Sequence, residues 1–265
     1  MAKNETKRVV VVADLHCGHR AGLTPPQWML NPDNPWDAKW RATQEEQWAW
    51  YMSTIQKLRP VHLLLVLGDC VEGRGERCDA RDIIRRKHRE QVDMATFALD
   101  QWKAPHIDMV YGTRYHVADY EDDIAAELGA DKIGAHDWPE VNGVVFDIKH
   151  HVSGSQVPHT RLTALERDRL WGKLWAYQHK QPDSDIVLRA HVHYHRFSGE
   201  IINGRRKMGL ICPALQGMGS EFGAERCSGD ITYGLVVFDI AKDGTWEWDV
   251  LTADLPSQVA TTTQY

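Results

Sequence analysis

Residues 8–16 have the sequence RVVVVADLH, in which four consecutive valines are followed by Asp14 and His16. A run of β-branched residues without polar alternation is typical of a strand that is buried on both faces of a sheet. Residues 61–69, VHLLLVLGD, repeat this arrangement and end at Asp69. Each run therefore predicts a buried strand that is followed directly by a polar side chain.

The rest of the chain continues the alternation of strands and helices. Helix-forming sequence fills Asp37–Leu58 and stops at Arg59-Pro60, because proline cannot continue a helix. Gly112–His116 is predicted to be a turn. We predict an α/β fold with further helices over about 80–103, 119–128 and 162–179, strands over 107–111, 144–149 and 185–190, and hairpins over 199–211 and 233–251.

The composition indicates one large globular domain. The chain has 265 residues, of which 43% are hydrophobic, and no repeat or linker divides the sequence. We predict a single domain over residues 1–255 and a polar tail over residues 256–265. The formal net charge of -6 excludes a basic surface for nucleic acid over the whole molecule, so a polyanion would have to be bound locally.

Three further features concern location. The longest apolar run is far shorter than the ~20 residues that span a bilayer, which excludes a membrane-spanning helix. The N-terminal MAKNETKR lacks the features of a secretory signal. The five cysteines form no C-x-x-C pair, which argues against a disulfide framework and against a thiolate zinc site. We therefore expect a cytoplasmic protein with reduced thiols and no membrane partner.

Potential metal ligands or proton carriers follow five of the predicted strands. In α/β sheets, ligands gather outside the carboxyl ends of the strands, where loops diverge from a rigid scaffold. The Asp-x-His and His-x-His pairs have a spacing of two, which in an extended chain directs both side chains to the same side. We expect the following residues to converge on one site: Asp14, His16, Asp69, His116, His150, His151, His191 and His193.

This combination of carboxylate and imidazole donors suits a divalent transition metal such as Mn, Zn, Fe or Ni. Two cations about 4 Å apart bind a phosphate between them, lower the pKa of a bridging water and stabilise the attacking and leaving oxygens. The sequence therefore predicts two divalent metal ions as cofactors and hydrolysis of a phosphoester by a metal-bridging hydroxide.

The motifs A-D14-L-H16, G68-D69-C-V-E-G73, a histidine pair after a mid-chain strand and A-H191-V-H193 resemble those of the calcineurin-like metallophosphoesterases. They occur in the family order and span residues 9–195. The resemblance implies an α/β fold of the four-layer αββα type, in which helices flank two mixed β-sheets. It also implies a dinuclear metal site at the C-terminal ends of the strands.

The resemblance also implies a division of the ligands between the two metals. Asp14, His16 and His193 hold the first metal, and Asp69 bridges both. His191 and one histidine of the pair 150–151 hold the second metal. His150 continues the face of Val144, Phe146 and Ile148, which favours it over His151, although a bulge at the end of the strand would reverse the choice.

One motif departs from the family pattern. The family has Gly-Asn-His followed by an acidic residue, whereas this chain has Gly112-Thr113-Arg114-Tyr115-His116. Divergent members, including some encoded by phages, show such departures. Thr113 or a water can replace the asparagine as a ligand of the second metal. His116 is then either the catalytic general acid or a metal ligand itself.

Arginines follow Asp69 directly in the sequence. A guanidinium matches two phosphate oxygens, so Arg74 or Arg77 is a candidate substrate-binding residue. The alternative is a solvated helix face whose charges are balanced by nearby acidic residues.

The predicted function is hydrolysis of phosphodiesters or phosphomonoesters, with a phosphoester substrate as the partner. The ligands do not separate this activity from that of a nuclease acting on DNA or RNA. A different class of protein, a metal- and phosphate-binding module that has lost turnover, is favoured by the missing asparagine.

Overall fold

The computed structural model describes residues 6–35, 37–74, 82–117, 119–218, 230–255 and 262, with only the backbone of Tyr115 and Val117. The strands are β1 Lys7–Val12, β2 Leu63–Val66, β3 His106–Val110, β4 Lys132–Gly134, β5 Glu140–Val141, β6 Val144–Ile148, β7 Ile186–Arg189, β8 Arg196–Ile202, β9 Arg205–Ile211, β10 Gly234–Ile240 and β11 Trp246–Thr252. The helices are α1 Ala38–Leu58, α2 His88–Asp100, α3 Arg114–Val117, α4 Tyr120–Leu128 and α5 Thr163–Tyr177.

The strands form two mixed sheets. The first sheet has the order β11-β10-β1-β2-β3-β4, in which β1 to β4 are parallel and the C-terminal hairpin is added antiparallel to β1. The second sheet has the order β5-β6-β7-β9-β8, in which β6, β7 and β9 are parallel. The parallel strands of each sheet therefore end at a common edge.

The valines of β1 show how the layers are held together. Val9 and Val11 point into the core between the two sheets, where they share a cluster with Phe146 of the second sheet. Val10 and Val12 point to the other face and pack in the cluster that contains residues of α1, α2 and α4. The strand is thus buried on both faces, as its composition predicts.

A smaller cluster completes the architecture. Leu165 of α5 packs with Val187 of β7 and Ile211 of β9 on the outer face of the second sheet. The order of layers is therefore helices, sheet, sheet, helix, and the predicted αββα sandwich is confirmed.

Several local predictions were wrong in their bounds. Helix α2 begins at His88 and not near residue 80. The amide of Ile84 donates to the carbonyl of Gly18, and Ile83 pairs with His19 in a β-bridge, so these residues do not form a helical turn. The predicted turn after β3 contains the short helix α3. The short strands β4 and β5 were not predicted, since a run of two or three residues carries little periodic signal.

The fold also bears on the predicted absence of a membrane span, on the cysteines and on the predicted tail. Within the described residues, no helix combines the length and apolarity that crossing a membrane requires. Cys17, Cys70 and Cys212 are buried free thiols. Apart from Thr262, the predicted tail lies outside the described residues, and the single domain stays a prediction.

Candidate metal centre

The loops that follow the parallel strands are bonded to one another through their backbones. The amide of Asp14 donates to the carbonyl of Gly68 at 3.0 Å, and the amide of His16 donates to the carbonyl of Asp69 at 2.9 Å. In the second sheet, the amide of Ala190 donates to the carbonyl of His150 at 2.7 Å. The side chains on these loops are consequently brought to one edge of the sandwich.

Five of the predicted ligands have left-handed backbone conformations. The φ angles are 52° at Asp14, 45° at His16, 49° at Asp69, 79° at His191 and 59° at His193. Such angles are uncommon and costly for residues other than glycine, and they cluster at functional sites. The prediction that each Asp-x-His or His-x-His pair is extended was wrong. The pairs converge because the chain turns sharply after each strand.

Asp14, His16 and His193 form a first group of potential ligands, in which the donor atoms lie within 4.8 Å of one another. Nε2 of His193 is 3.2 Å from Oδ1 of Asp14. Nε2 of His16 is 3.9 Å from the same oxygen. These side chains come from β1 and β7, which lie in different sheets, so the first group spans the two halves of the sandwich.

Asp69, His150 and His191 form a second group. Oδ2 of Asp69 is 3.0 Å from Nε2 of His150 and 4.0 Å from Nδ1 of His191. The hydroxyl of Thr113 lies among them, 3.1 Å from Oδ2 of Asp69 and 3.1 Å from Nδ1 of His191. His151 is exposed, and its ring contacts the ring of His191 at 4.7 Å between centroids. The structure therefore brings His150, and not His151, to Asp69.

Asp69 joins the two groups. Its Oδ2 is also 3.9 Å from Nε2 of His16, so one buried carboxylate faces ligands of both groups. Among the described residues, Oδ1 of Asp14 and Nε2 of His16 are buried without a partner in hydrogen-bond geometry. Buried polar atoms without partners are costly, and a divalent cation would satisfy both of them. The donors that are present thus fit two cations that share Asp69.

The electrostatics of the centre follow from its burial and its charge pairs. Burial opposes ionisation of Asp69, but His150 and His16 outweigh it and hold the pKa of the carboxyl far below its usual range. Burial also opposes protonation of His150, yet Asp69 prevails and raises the pKa of His150 to about 10. Burial and the neighbouring His150 lower the pKa of His191 to about 4. Without metal, Asp69 and His150 therefore form an ion pair.

Two potential ligands, His16 and His150, make a contact through their second ring nitrogen. Oε2 of Glu72 is 2.8 Å from Nδ1 of His16, and the carbonyl of Leu67 is 2.5 Å from Nδ1 of His150. When Nδ1 donates to these oxygens, Nε2 is left as the metal-facing atom. Glu72 was not among the predicted site residues. Its position three residues after Asp69, within the quoted motif, could have indicated that it lies near the site.

His116 belongs to a third group, together with His16 and Glu72. Its Nδ1 is 3.0 Å from the carbonyl of Glu72, and its ring meets the ring of His16 edge-on, with 4.8 Å between centroids. Burial and the charge of His16 lower the pKa of His116. This residue therefore lies beside His16 of the first group.

Arg74 and Arg77 are the remaining predicted site residues. Arg74 is exposed on the loop after β2, and Arg77 lies outside the described residues. His19 is buried 3.5 Å from Asp82, and Nδ1 of His195 is 2.9 Å from the carbonyl of Ile211. Neither histidine belongs to the three groups.

Comparisons with known proteins find similarity only at the level of structure, since no family model and no curated protein matches the sequence. A novel archaeal phosphodiesterase is 10% identical, with a TM-score of 0.45 over 92% of this chain and 99% of that chain. Vps29 from Entamoeba histolytica, solved with Zn²⁺, is 14% identical, with a TM-score of 0.42 over 92% and 98% of the two chains. A metallophosphoesterase from Sphaerobacter thermophilus is 14% identical, with a TM-score of 0.39 over 93% and 88%.

A metallophosphoesterase is thus among the structural neighbours of this chain. Each of the three TM-scores is below 0.5, so the functional conclusion rests on the residues of the metal centre.

Proposed function

We propose that this chain is a hydrolase of phosphoesters that depends on two divalent cations. The observation that carries the proposal is the sharing of Asp69 by two groups of buried or half-buried metal donors. A single structural metal needs no second group, whereas hydrolysis of a phosphate between two cations needs two groups with a common bridge.

The residues divide into two sets of ligands. Asp14, His16 and His193 would hold the first cation, and His150, His191 and the hydroxyl of Thr113 the second. When bound, the two cations would lower the pKa of a bridging water and offset the charge on the phosphate oxygens. The mixed imidazole and carboxylate donors suit Mn, Zn, Fe or Ni.

Other residues of the chain would handle the substrate. Nδ1 of His116 is engaged by the carbonyl of Glu72, so Nε2 of the doubly protonated ring is the atom that would donate a proton to the leaving oxygen. Arg74, and Arg77 beyond it, would bind a phosphate oxygen through the guanidinium group. The predicted compartment remains the cytoplasm.

The test compares metal content and hydrolysis in the wild type, Asp69→Asn and Asp108→Asn. Asp108 is a half-buried carboxylate on β3 that belongs to none of the ligand groups, so its replacement is the matched control. Purified protein is loaded with Mn²⁺, analysed by mass spectrometry for bound metal, and assayed with bis(p-nitrophenyl) phosphate. A panel of monoesters, diesters, single-stranded DNA and duplex DNA then defines the substrate.

We expect bound Mn²⁺ and hydrolysis in the wild type and in Asp108→Asn. Asp69→Asn is expected to lose metal and at least ~100-fold in rate while keeping its circular dichroism spectrum, because the bridging charge is gone. Full activity of Asp69→Asn with two metals bound would refute the assignment.

A metal- and phosphate-binding module without turnover is the second candidate. The observation that favours it is the presence of Thr113, whose hydroxyl is a weaker metal ligand than the amide oxygen of asparagine in the family motif. Two bound metals together with no hydrolysis of any ester in the panel would decide for the module.

A further inference from the structure

The loop at Gly112 and Thr113 brings the second group of ligands together. The amide of Thr113 donates to Oδ1 of Asp69 at 2.5 Å, and its hydroxyl is 3.3 Å from Nε2 of His150. This loop is short, because β3 ends at Val110 and α3 begins at Arg114. The place of Thr113 therefore depends on the contacts that hold its loop against Asp69.

Glu121 lies beneath this loop, in the first turn of α4, and is fully buried. Its Oε2 accepts the amide of Gly112 at 2.8 Å, and its Oε1 accepts the amide of Cys70 at 3.1 Å. Cys70 directly follows Asp69, and Gly112 directly precedes Thr113. One carboxylate thus joins the two loops that carry ligands of the second group.

The two loops touch through their backbones. A Cβ atom added to Gly112 would lie 2.2 Å from the amide nitrogen of Asp69, and one added to Gly68 would lie 2.5 Å from the amide nitrogen of Gly112. Such distances leave no room for a side chain between the loops. A small change in the separation of the loops would therefore change the distance between Asp69 and Thr113.

The loop of Asp69 has additional support from the first strand. The amide of His16 donates to the carbonyl of Asp69 at 2.9 Å, and the amide of Cys17 donates to the carbonyl of Cys70 at 3.0 Å. Gly112 has no such bond in the described residues, where its amide donates to Glu121. Loss of the Glu121 contacts would therefore displace Thr113 more than Asp69.

We propose that Glu121 is a positioning residue of the second metal site, in which its two oxygens set the separation of Asp69 and Thr113. This inference rests on the proposed function. A carboxylate accepts both amides at once, whereas the amide of glutamine accepts one and turns a donor toward the other. The two backbone amides that Glu121 accepts offset part of the cost of burying its carboxyl group.

The test is a calorimetric titration of Mn²⁺ into wild type, Glu121→Gln and the control Glu127→Gln. Glu127 is exposed on the same helix, where it pairs with Arg89, so the control makes the same chemical change away from the metal centre. His191→Ala, which removes a ligand of the second group only, assigns the two binding phases.

We expect Glu121→Gln to weaken the second phase about 10- to 100-fold and the first phase by less than about 3-fold. Its kcat toward bis(p-nitrophenyl) phosphate is expected to recover at saturating Mn²⁺, because the chemistry itself is untouched. Glu127→Gln should match the wild type. Glu121→Asp, which keeps the charge on a shorter stem, should show an intermediate loss, and it replaces Glu121→Gln if that variant does not fold.

Equal Mn²⁺ affinities in wild type and Glu121 variants, with an active wild type, would overturn this inference alone. Equal weakening of both phases together with a lower Tm would also overturn it, because that is the result of a merely structural contact. A wild type that binds no Mn²⁺ would overturn the proposed function and this inference together.

Discussion

His116 has two ring nitrogens with different surroundings. Nδ1 contacts the carbonyl of Glu72 at 3.0 Å, which assigns its proton to that side of the ring. Nε2 is left for the substrate or for a metal. Because the ring lies edge-on to His16, we expect His116 to act beside the first group of potential ligands and not in the place of the missing asparagine.

Replacement of His116 distinguishes a proton donor from a ligand. A general acid is needed when the leaving group is poor, and it contributes about 10²- to 10⁴-fold. We expect the rate of His116→Ala to fall by that factor for alkyl or nucleoside diesters and by far less for nitrophenyl diesters. The metal content of the variant should equal that of the wild type. The measurements are steady-state rates on both kinds of substrate and metal content.

His106→Ala is the control, since His106 is an exposed histidine that pairs with Asp131 on the first sheet. Loss of metal from His116→Ala, with an equal decrease in rate for every substrate and rescue by excess Mn²⁺, would instead identify His116 as a ligand.

At the level of elements, the metal centre depends on the close approach of the loops after β2 and β3. Gly112→Ala places a Cβ atom 2.2 Å from both the amide nitrogen and Oδ1 of Asp69. Backbone cannot yield as a flexible side chain does, so the bridging carboxylate must move. We expect the Mn²⁺ affinity to decrease at least ~10-fold, as when a hydrogen bond that supports a metal ligand is lost. The rate of hydrolysis should decrease by a similar factor.

Gly199→Ala is the matched change in β8, where the nearest atom to the added Cβ is 3.7 Å away. It should leave metal binding and rate unchanged. Titration calorimetry and circular dichroism of both variants check the prediction, and wild-type affinity in Gly112→Ala would show that the two loops are free to separate.

For the whole molecule, the Asp69–His150 pair links stability and metal binding to pH. The pKa of His150 in the folded protein, about 10, is above its value of about 6.5 in the unfolded chain. Its contribution to the free energy of unfolding is therefore complete below pH ~6.5 and is lost as the pH rises toward 10. The folded pKa of Asp69 is below its unfolded value of about 4, so its contribution is lost as the pH falls below ~4.

The pair should therefore stabilise the metal-free protein most between pH ~4 and ~6.5. The Tm of the metal-free protein should decrease between pH 7 and 10. Cation binding displaces the proton of His150, so Mn²⁺ affinity should rise with pH over the same range. Calorimetry in buffers of different ionisation enthalpy measures the released protons. Binding without proton release at pH 7 would contradict the ion pair.

The identity of most donors was determined by local sequence. The runs RVVVVADLH and VHLLLVLGD place Asp14 and Asp69 after buried strands, because apolar periodicity and the polar residue that ends it lie within a few positions. The same applies to His191 and His193 after β7. Their common edge followed from the alternation of strands and helices, and so did the α/β class. The four-layer αββα arrangement was implied by the family resemblance.

The tertiary structure alone decided how these donors are grouped and supported. Asp14 and His193 meet across two sheets. The alternation of β6 favours His150 over His151, and the contacts of His150 with Leu67 and Asp69 exclude the bulge that would reverse this choice. The contacts of Glu72 and Glu121 join segments that are distant in sequence. The physical reason is that hydrophobic pattern and turn chemistry act between neighbours in sequence, whereas these hydrogen bonds and left-handed turns form only when remote segments pack together.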